Sequence, residues 1–355
     1  MTTIVHLLPH FDNDGNGIVN IVVDLACAQS ATGHTVSCIG SRSGPYSDLL
    51  RSHAVTTRVL TGRNSALSLR QLYLLLKNLR PEIVHAHTVP TALMARALQA
   101  MFGFRLITTV HNGPRLRNAL LGFSDKIICV SDSIAKGMKR FQFADSKIRV
   151  VRNGPIGSPR RPNILQGSQN HRISRPAIVT LGSLHRYKGA QDVISAFSIA
   201  RKSIPNLSLY ILGEGPMKPQ LQKQAARIEG NHNIHIEGFI ADPRPYLSQA
   251  DVFILPSHRE AFGIALAEAR EAGCAIVGTN VGGIPEVLEG GRSGVLVPAN
   301  SPKDIARIVI ELLSDPIQLA TLKRHAATNV HWLRVERMSQ ETIAIYREAL
   351  SPTVS

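Results

Sequence analysis

Residues 257–269, Ser-His-Arg-Glu-Ala-Phe-Gly-Ile-Ala-Leu-Ala-Glu-Ala, carry the residue types and spacing best suited to chemistry. They follow an apolar run, Val252 to Leu255, and pass through Pro256 into a stretch of good helix formers. A strand, a turn and a helix are therefore expected in series. The backbone N–H groups of Phe262, Gly263 and Ile264 then fall near a helix N-terminus, where they attract an anion, and Gly263 lets a phosphate approach the main chain. Glu260 lies just outside that helix and Glu268 two turns inside it. Residues eight apart on a helix are about 80° apart around its axis, so both carboxylates can border one cleft and accept hydrogen bonds from sugar or ribose hydroxyls. A lone pair of glutamates is more often a capping acid and a solvated helix residue, so the surroundings must decide.

The elements that position this stretch read as two series of strand and helix. In the first half, short β-branched runs at Thr3 to Leu8, His34 to Ile39, Val55 to Leu60, Ile83 to His87, Leu106 to Val110, Lys126 to Val130 and Ile148 to Arg152 alternate with helical patterns at Asn16 to Ala31, Leu67 to Leu79, Thr91 to Met101 and Asp132 to Phe141. That alternation predicts βαβ units and a mainly parallel, doubly wound α/β sheet. Residues 158–175, with four Arg, two early Pro and no apolar periodicity, read as a linker between a first domain, 1–157, and a second, 176–331. The second domain repeats the pattern, with strands at Ala177 to Leu181, Leu207 to Leu212, Ile234 to Glu237, Val252 to Leu255, Ala275 to Thr279 and Gly294 to Val297. Two Rossmann-like domains in series are expected, and a closing helical stretch, 332–355, is free to fold with either one.

The motifs of the second domain all fall at or near C-terminal strand ends, where open α/β sheets bind ligands. They are Leu181-Gly182-Ser183-Leu184-His185-Arg186-Tyr187-Lys188-Gly189, then Leu212-Gly213-Glu214-Gly215-Pro216, then Ala250 to Ser257, then Gly282-Gly283-Ile284-Pro285-Glu286. Together with the Glu-x7-Glu element and its Phe-Gly, this set resembles the retaining glycosyltransferases of family 4. The resemblance implies the GT-B architecture of two facing Rossmann-like domains with an interdomain cleft. It covers roughly residues 177–298 strongly and the first half more weakly, through Thr108-Thr109-Val110-His111-Asn112, Ile83-Val84-His85-Ala86-His87, Val130-Ser131 and Arg152-Asn153-Gly154.

Carried over residue by residue, the resemblance implies a donor site for a nucleotide diphosphate sugar, most readily a UDP-sugar. Lys188 would neutralise the diphosphate and Glu268 would bind the ribose hydroxyls. Glu260, with the Phe262 and Gly263 amides and the neighbouring Ile264, would hold the transferred hexose and phosphate, with Gly215 also on the donor side. His111 would face the donor sugar, making His111 and Glu260 the catalytic candidates. Gly15, Asn16 and Gly17 match the family's glycine-rich first loop near the diphosphate and acceptor, and His87 lies on the acceptor side. A lone His such as His85 is more often a packed or hydrogen-bonded core residue, and His87 is equally well read as one. Family members commonly carry Arg where this chain has Ser183; Arg186 is the candidate substitute, because a guanidinium can pair two phosphate oxygens, although an exposed surface Arg fits as well.

No cofactor and no metal are expected. Asp12-Asn13-Asp14 has the spacing of a metal-binding acidic triplet but lies in the first domain, far in sequence from the donor-binding half. The four cysteines, Cys27, Cys38, Cys129 and Cys274, form no CxxC pair and read as buried thiols. Neither sheet opens with GxGxxG, which argues against a nicotinamide enzyme.

Charge is distributed unevenly. The net is +15, and residues 1–157 hold 18 Lys/Arg against 8 Asp/Glu, whereas 176–355 are nearly balanced. Basic clusters at Arg58 to Arg80, Arg115 to Arg117 and Lys136 to Arg140, with leucines around the first, suit an anionic membrane surface and a sugar or lipid-linked acceptor. The chain has 44% hydrophobic residues, no apolar run of membrane-spanning length and no basic leader at Met1, so a cytoplasmic enzyme peripheral to the inner face of the membrane is expected, in cell-envelope polysaccharide or glycolipid assembly. Two other readings fit part of the sequence. A sugar-nucleotide epimerase shares the double-Rossmann plan, but the motif order favours transfer. A nucleic-acid-binding protein fits a pI near 10.1, yet only 5% of residues are aromatic and no stacking platform is visible, so no nucleic-acid partner is expected.

Overall fold

A computed structural model describes residues 1–62, 65–113, 115–161 and 172–351. Of the expected linker, residues 162–171 lie outside the described ones, as do 352–355 of the closing segment. The chain forms two compact units, residues 1–160 with 332–355, and residues 161–331.

In the first unit seven strands form one sheet: β1 (Thr3–Leu7), β2 (Thr35–Gly40), β3 (Thr56–Val59), β4 (Ile83–Ala86), β5 (Arg105–Val110), β6 (Lys126–Cys129) and β7 (Ile148–Val150). All pairings are parallel, in the order β3-β2-β1-β4-β5-β6-β7. Helices α1 (Gly17–Ala31), α2 (Tyr46–Ser52), α3 (Ser65–Leu79), α4 (Val89–Phe102) and α5 (Asp132–Met138) supply crossovers. Burial on both faces explains why these strands read as unbroken apolar runs rather than alternating ones. Strand order reverses between β1 and β4, whose register sets His6 opposite His85. The C-terminal ends on either side of that reversal are where this fold gathers side chains for ligands.

The second unit repeats the plan with β8 (Ala177–Leu181), β9 (Ser208–Leu212), β10 (Ile234–Gly238), β11 (Val252–Leu255), β12 (Ala275–Thr279) and β13 (Val295–Val297), all parallel in the order β10-β9-β8-β11-β12-β13. Its helices are α6 (Ala190–Ala200), α7 (Lys218–Ala225), α8 (Arg244–Leu247), α9 (Ile264–Glu271), α10 (Ile284–Val287), α11 (Pro302–Ser314) and α12 (Pro316–Ala327). An apolar core of Ile178, Ile194, Phe197, Leu209, Val252 and Val309 fixes the sheet against α6 and α11. The reversal here lies between β8 and β11, so the Lys188 loop and the Glu260 turn leave adjacent strands at that point.

The closing helix α13 (Val335–Leu350) packs on α1 and β5 of the first unit. Three elements differ from the sequence expectations. Helix α12 lies beyond the helical patterns read from the sequence; Pro316 occupies its first turn, where the missing N–H costs nothing, and Asp315 caps the helix by accepting from Ile317 and Gln318 N–H. Helix α2 and the 3₁₀ turn Leu116–Phe123 were also unforeseen, being too short for a periodic signal. Among the described residues, no helix is long and apolar enough to cross a membrane.

Candidate active site

In the second unit the loop after β8 brings Lys188 to the turn after β11. Its Nζ lies 2.7 Å from Glu260 Oε2, which also accepts from Ser257 Oγ at 3.2 Å, while Glu260 Oε1 accepts from the Ala261 N–H at 3.2 Å. The close approach depends on Gly189, whose φ is +77°. A Cβ there would stand 2.1 Å from the Pro256 carbonyl oxygen, so the two loops meet only because this residue has no side chain. The Glu260 carbonyl in turn accepts from the Gly283 N–H at 3.2 Å, which ties the turn to the Gly-Gly-Ile-Pro-Glu motif at the start of α10. One cation and one carboxylate are thus held at the point where the strand order reverses, a place suited to a diphosphate and its sugar.

Helix α9 opens at Ile264 with Gly263 in the left-handed region at φ +98° as its cap. Phe262 is fully buried, so its ring serves the core and only its main chain is available to a ligand. Glu268, one tenth exposed, is ion-paired with Arg161, which also lies 3.3 Å from Glu271. Arg161 stood in the expected linker, and nothing in its spacing pointed to Glu268. Arg186 is exposed, and its carbonyl accepts from Gln191 Nε2. Gly215 lies against Leu184, whose carbonyl accepts from Met217 N–H.

In the first unit Asn16 caps α1, its Oδ1 accepting from the Ile18 N–H at 3.0 Å, with Gly15 at φ +78° before it and Gly17 as the first helical residue. Helix α1 is further anchored by the fully buried Asp24, which pairs bidentately with Arg160 at 2.8 and 2.9 Å and accepts from Ser158 Oγ at 2.6 Å. His87 and His111 directly follow β4 and β5 and join ring to ring, His87 Nδ1 to His111 Nε2 at 3.0 Å. They line one recess with Asn112, Arg115 and Asn118.

Beneath them lies a cluster that the sequence did not reveal. His6 and His85, neighbours across β1 and β4, are buried with His87. Burial pulls His6 down to about 4, partly offset by the Gln29 acceptor, pulls His111 down to about 3, and holds His85 and His87 well below the ordinary imidazole range. All four rings are therefore neutral at pH 7. Among the described residues, His6, His85 and His87 are the one group whose ligating atoms lie close enough together to hold a metal ion. Both nitrogens of each ring already face a protein hydrogen-bond partner, so a metal would have to displace these bonds.

Residues 15–155 match the family described as Glycosyltransferase Family 4, and residues 164–329 the family described as Glycosyl transferases group 1. The chain belongs to the family 4 type of glycosyltransferases. A glycogen synthase of Mycobacterium tuberculosis is 29% identical over 257 residues, which cover 67% of this chain and 61% of that enzyme. The chain thus spans less than two thirds of that relative's length. An alpha-maltose-1-phosphate synthase of Mycolicibacterium smegmatis is 26% identical over 88% of this chain and 90% of its own. Among solved structures, Anabaena HepE in complex with UDP-glucose superposes with a TM-score of 0.84 at 17% identity, covering 98% of this chain and 100% of that one. WaaG, a glycosyltransferase involved in lipopolysaccharide biosynthesis, superposes with a TM-score of 0.75 at 16% identity, covering 97% and 99%. The fold is that of the GT-B glycosyltransferases.

Proposed function

We propose that the protein is a retaining hexosyltransferase that moves a hexose from a nucleotide diphosphate sugar, UDP-linked, to a sugar or lipid-linked acceptor. The observation that carries this reading is the Lys188–Glu260 pair, held at 2.7 Å where the strand order reverses, with α9 and Glu268 directly after it. When donor binds, Lys188 turns its charge to the diphosphate, Glu260 takes hydroxyls of the hexose, and Glu268 exchanges Arg161 for the ribose hydroxyls. The bond from the anomeric carbon to the diphosphate oxygen breaks, a bond from that carbon to the acceptor oxygen forms on the same face, and the acceptor proton leaves with the nucleoside diphosphate. Lys188, Arg186 and the α9 amides stabilise the leaving charge, so no metal and no cofactor are needed. The first unit takes the acceptor, with Gly15, Asn16 and His87 on that side, Gly17 toward the donor diphosphate and His111 toward the reacting sugar.

Support for a UDP donor comes from the complexes of HepE with UDP and with UDP-glucose. Support for envelope assembly comes from the likeness to WaaG, which is involved in lipopolysaccharide biosynthesis. A peripheral membrane site fits Leu116, 85% exposed between Arg115 and Arg117, with Leu120 exposed on the same turn. The test is release of UDP from a panel of UDP-hexoses in the presence of EDTA and an envelope lipid extract. Release that requires both donor and extract supports the reading; absence of release with every UDP-hexose, or release abolished by EDTA, contradicts it.

A further inference from the structure

A continuous line of side-chain hydrogen bonds runs through the first unit beneath His111. His111 Nε2 meets His87 Nδ1 at 3.0 Å, His87 Nε2 meets His6 Nδ1 at 3.0 Å, and His6 Nε2 meets Gln29 Oε1 at 2.7 Å. Gln29 Nε2 then donates to the Tyr346 hydroxyl at 3.4 Å; that hydroxyl meets His85 Nδ1 at 2.6 Å, and His85 Nε2 meets Thr109 Oγ1 at 2.7 Å. The members come from β1, α1, β4, β5 and α13 and from the residues that follow β4 and β5.

A neutral imidazole has one donor and one acceptor nitrogen, so each bond in such a line fixes the next. With the Gln29 carbonyl oxygen turned to His6, His6 Nε2 must donate and its Nδ1 accept. His87 must then donate from Nε2 and accept at Nδ1, and His111 must donate from Nε2. On the other branch, Tyr346 accepts from Gln29 and donates to His85 Nδ1, so His85 too is protonated on Nε2. All four rings take the Nε2–H form, which is also the lower-energy form of a free imidazole side chain. The reverse direction would need four rings in the less favourable form. The His85 and His87 ring centres lie 4.2 Å apart in a dry site, so a charged ring is not a way out of the pattern.

We propose that Gln29 and His6 are positioning residues: through His87 they lock His111 in the Nε2-protonated form, leaving its Nδ1 lone pair to accept a hydrogen bond from a substrate hydroxyl. Nδ1 of His111 has no hydrogen-bond partner among the described residues, and the ring lines the recess with Asn112, Arg115 and Asn118. The role of His111 toward substrate rests on the function proposed above; the tautomer lock rests on the hydrogen bonds alone. Tyr346 makes the lock depend on α13, so the last helix of the chain reaches a candidate catalytic group through one amide.

The test is long-range proton–nitrogen NMR on the full chain labelled in histidine, combined with turnover of donor. The expected wild-type result is four neutral rings protonated on Nε2 at pH 7. Gln29→Met keeps the length of the side chain but removes both hydrogen-bonding groups; it should shift the His111 nitrogens toward a mixture of forms and lower kcat about tenfold, a fraction of what a well-placed acid–base group supplies, with the donor KM little changed. Gln29→Glu, which restores the acceptor for His6, should restore both readouts. Tyr346→Phe serves if Gln29→Met does not fold, and should also mix the forms by freeing the Gln29 amide to turn over. A wild-type His111 that is protonated on Nδ1 or charged overturns the proposal, as do folded variants whose His111 nitrogens are unchanged. Should His111→Ala retain full turnover, the substrate role of His111 fails, while the nitrogen spectra still decide the lock.

Discussion

Three buried neutral histidines, with His111 half-buried above them, make the first unit sensitive to mild acid. In the unfolded chain these rings titrate near 6.5, whereas burial holds His6 near 4 and His111 near 3 in the folded protein. Above pH 6.5 both states are neutral and the cluster has no pH dependence. Below it the unfolded chain binds protons that the folded one excludes, so stability falls with pH until the folded values are reached. Each ring costs about 1.4 kcal/mol per pH unit in that window. Between pH 7.5 and pH 5, His6 and His111 together cost about 4 kcal/mol, with His85 and His87 adding in the same direction. That is a large share of the roughly 5–15 kcal/mol that holds a typical domain together. The depressed carboxylates, such as Asp251 and Glu348, lose their contribution only below their ordinary values of 3.8 and 4.5, so they stay out of this window. Hydrogen exchange corrected for intrinsic rate should show the β1, β4 and β5 amides losing protection at pH 5 while β8 and β11, set in the apolar core of the second unit, serve as reference. His111→Asn should remove about 2 kcal/mol of the loss. Protection of β1 and β4 that differs by less than about 1 kcal/mol between the two pH values would refute the reasoning.

Three further outcomes are expected. Arg160→Ala, which strands the buried Asp24 carboxylate, should destabilise the first unit by about 3–5 kcal/mol, read by chemical denaturation, with the loss smaller in Asp24→Asn/Arg160→Ala. Gly189→Ala should force the Lys188 loop off the Pro256 carbonyl, lowering the melting midpoint of the second unit and weakening UDP binding together, measured by calorimetry and titration. Arg161→Ala should free Glu268 from its ion pair and tighten UDP binding severalfold at low salt, with the difference shrinking as salt rises.

Much of the fold was legible because doubly covered parallel strands leave contiguous apolar runs, as at Val252–Leu255 and Ile83–Ala86, and because their order of appearance with helices between them allows few topologies. The Glu260 turn was legible for a related reason: a strand, a glycine and a helix in immediate succession specify a backbone shape and the loops that can meet it. Short helices were missed where one capping residue does the work of a long periodic pattern, as Asp315 does for α12. Partners joined only by topology were invisible. His6 and His85 stand 79 positions apart and meet through the β1–β4 register, and Tyr346 reaches Gln29 because α13 packs on α1. Arg161 illustrates a third limit: a residue in a breaker-rich stretch shows no periodicity, yet it holds the carboxylate expected to bind ribose.

Thermal unfolding with UDP, GDP, ADP and NAD, each in EDTA, tests the donor site most directly, since a ligand that binds only the folded state raises the midpoint by mass action. A rise with UDP in EDTA is predicted, and it should shrink in Glu268→Ala, where a charge-assisted hydrogen bond worth about 1.5–3 kcal/mol is lost. A rise with NAD alone, a rise with UDP that Glu268→Ala leaves intact, or no rise with any of the four would contradict the account.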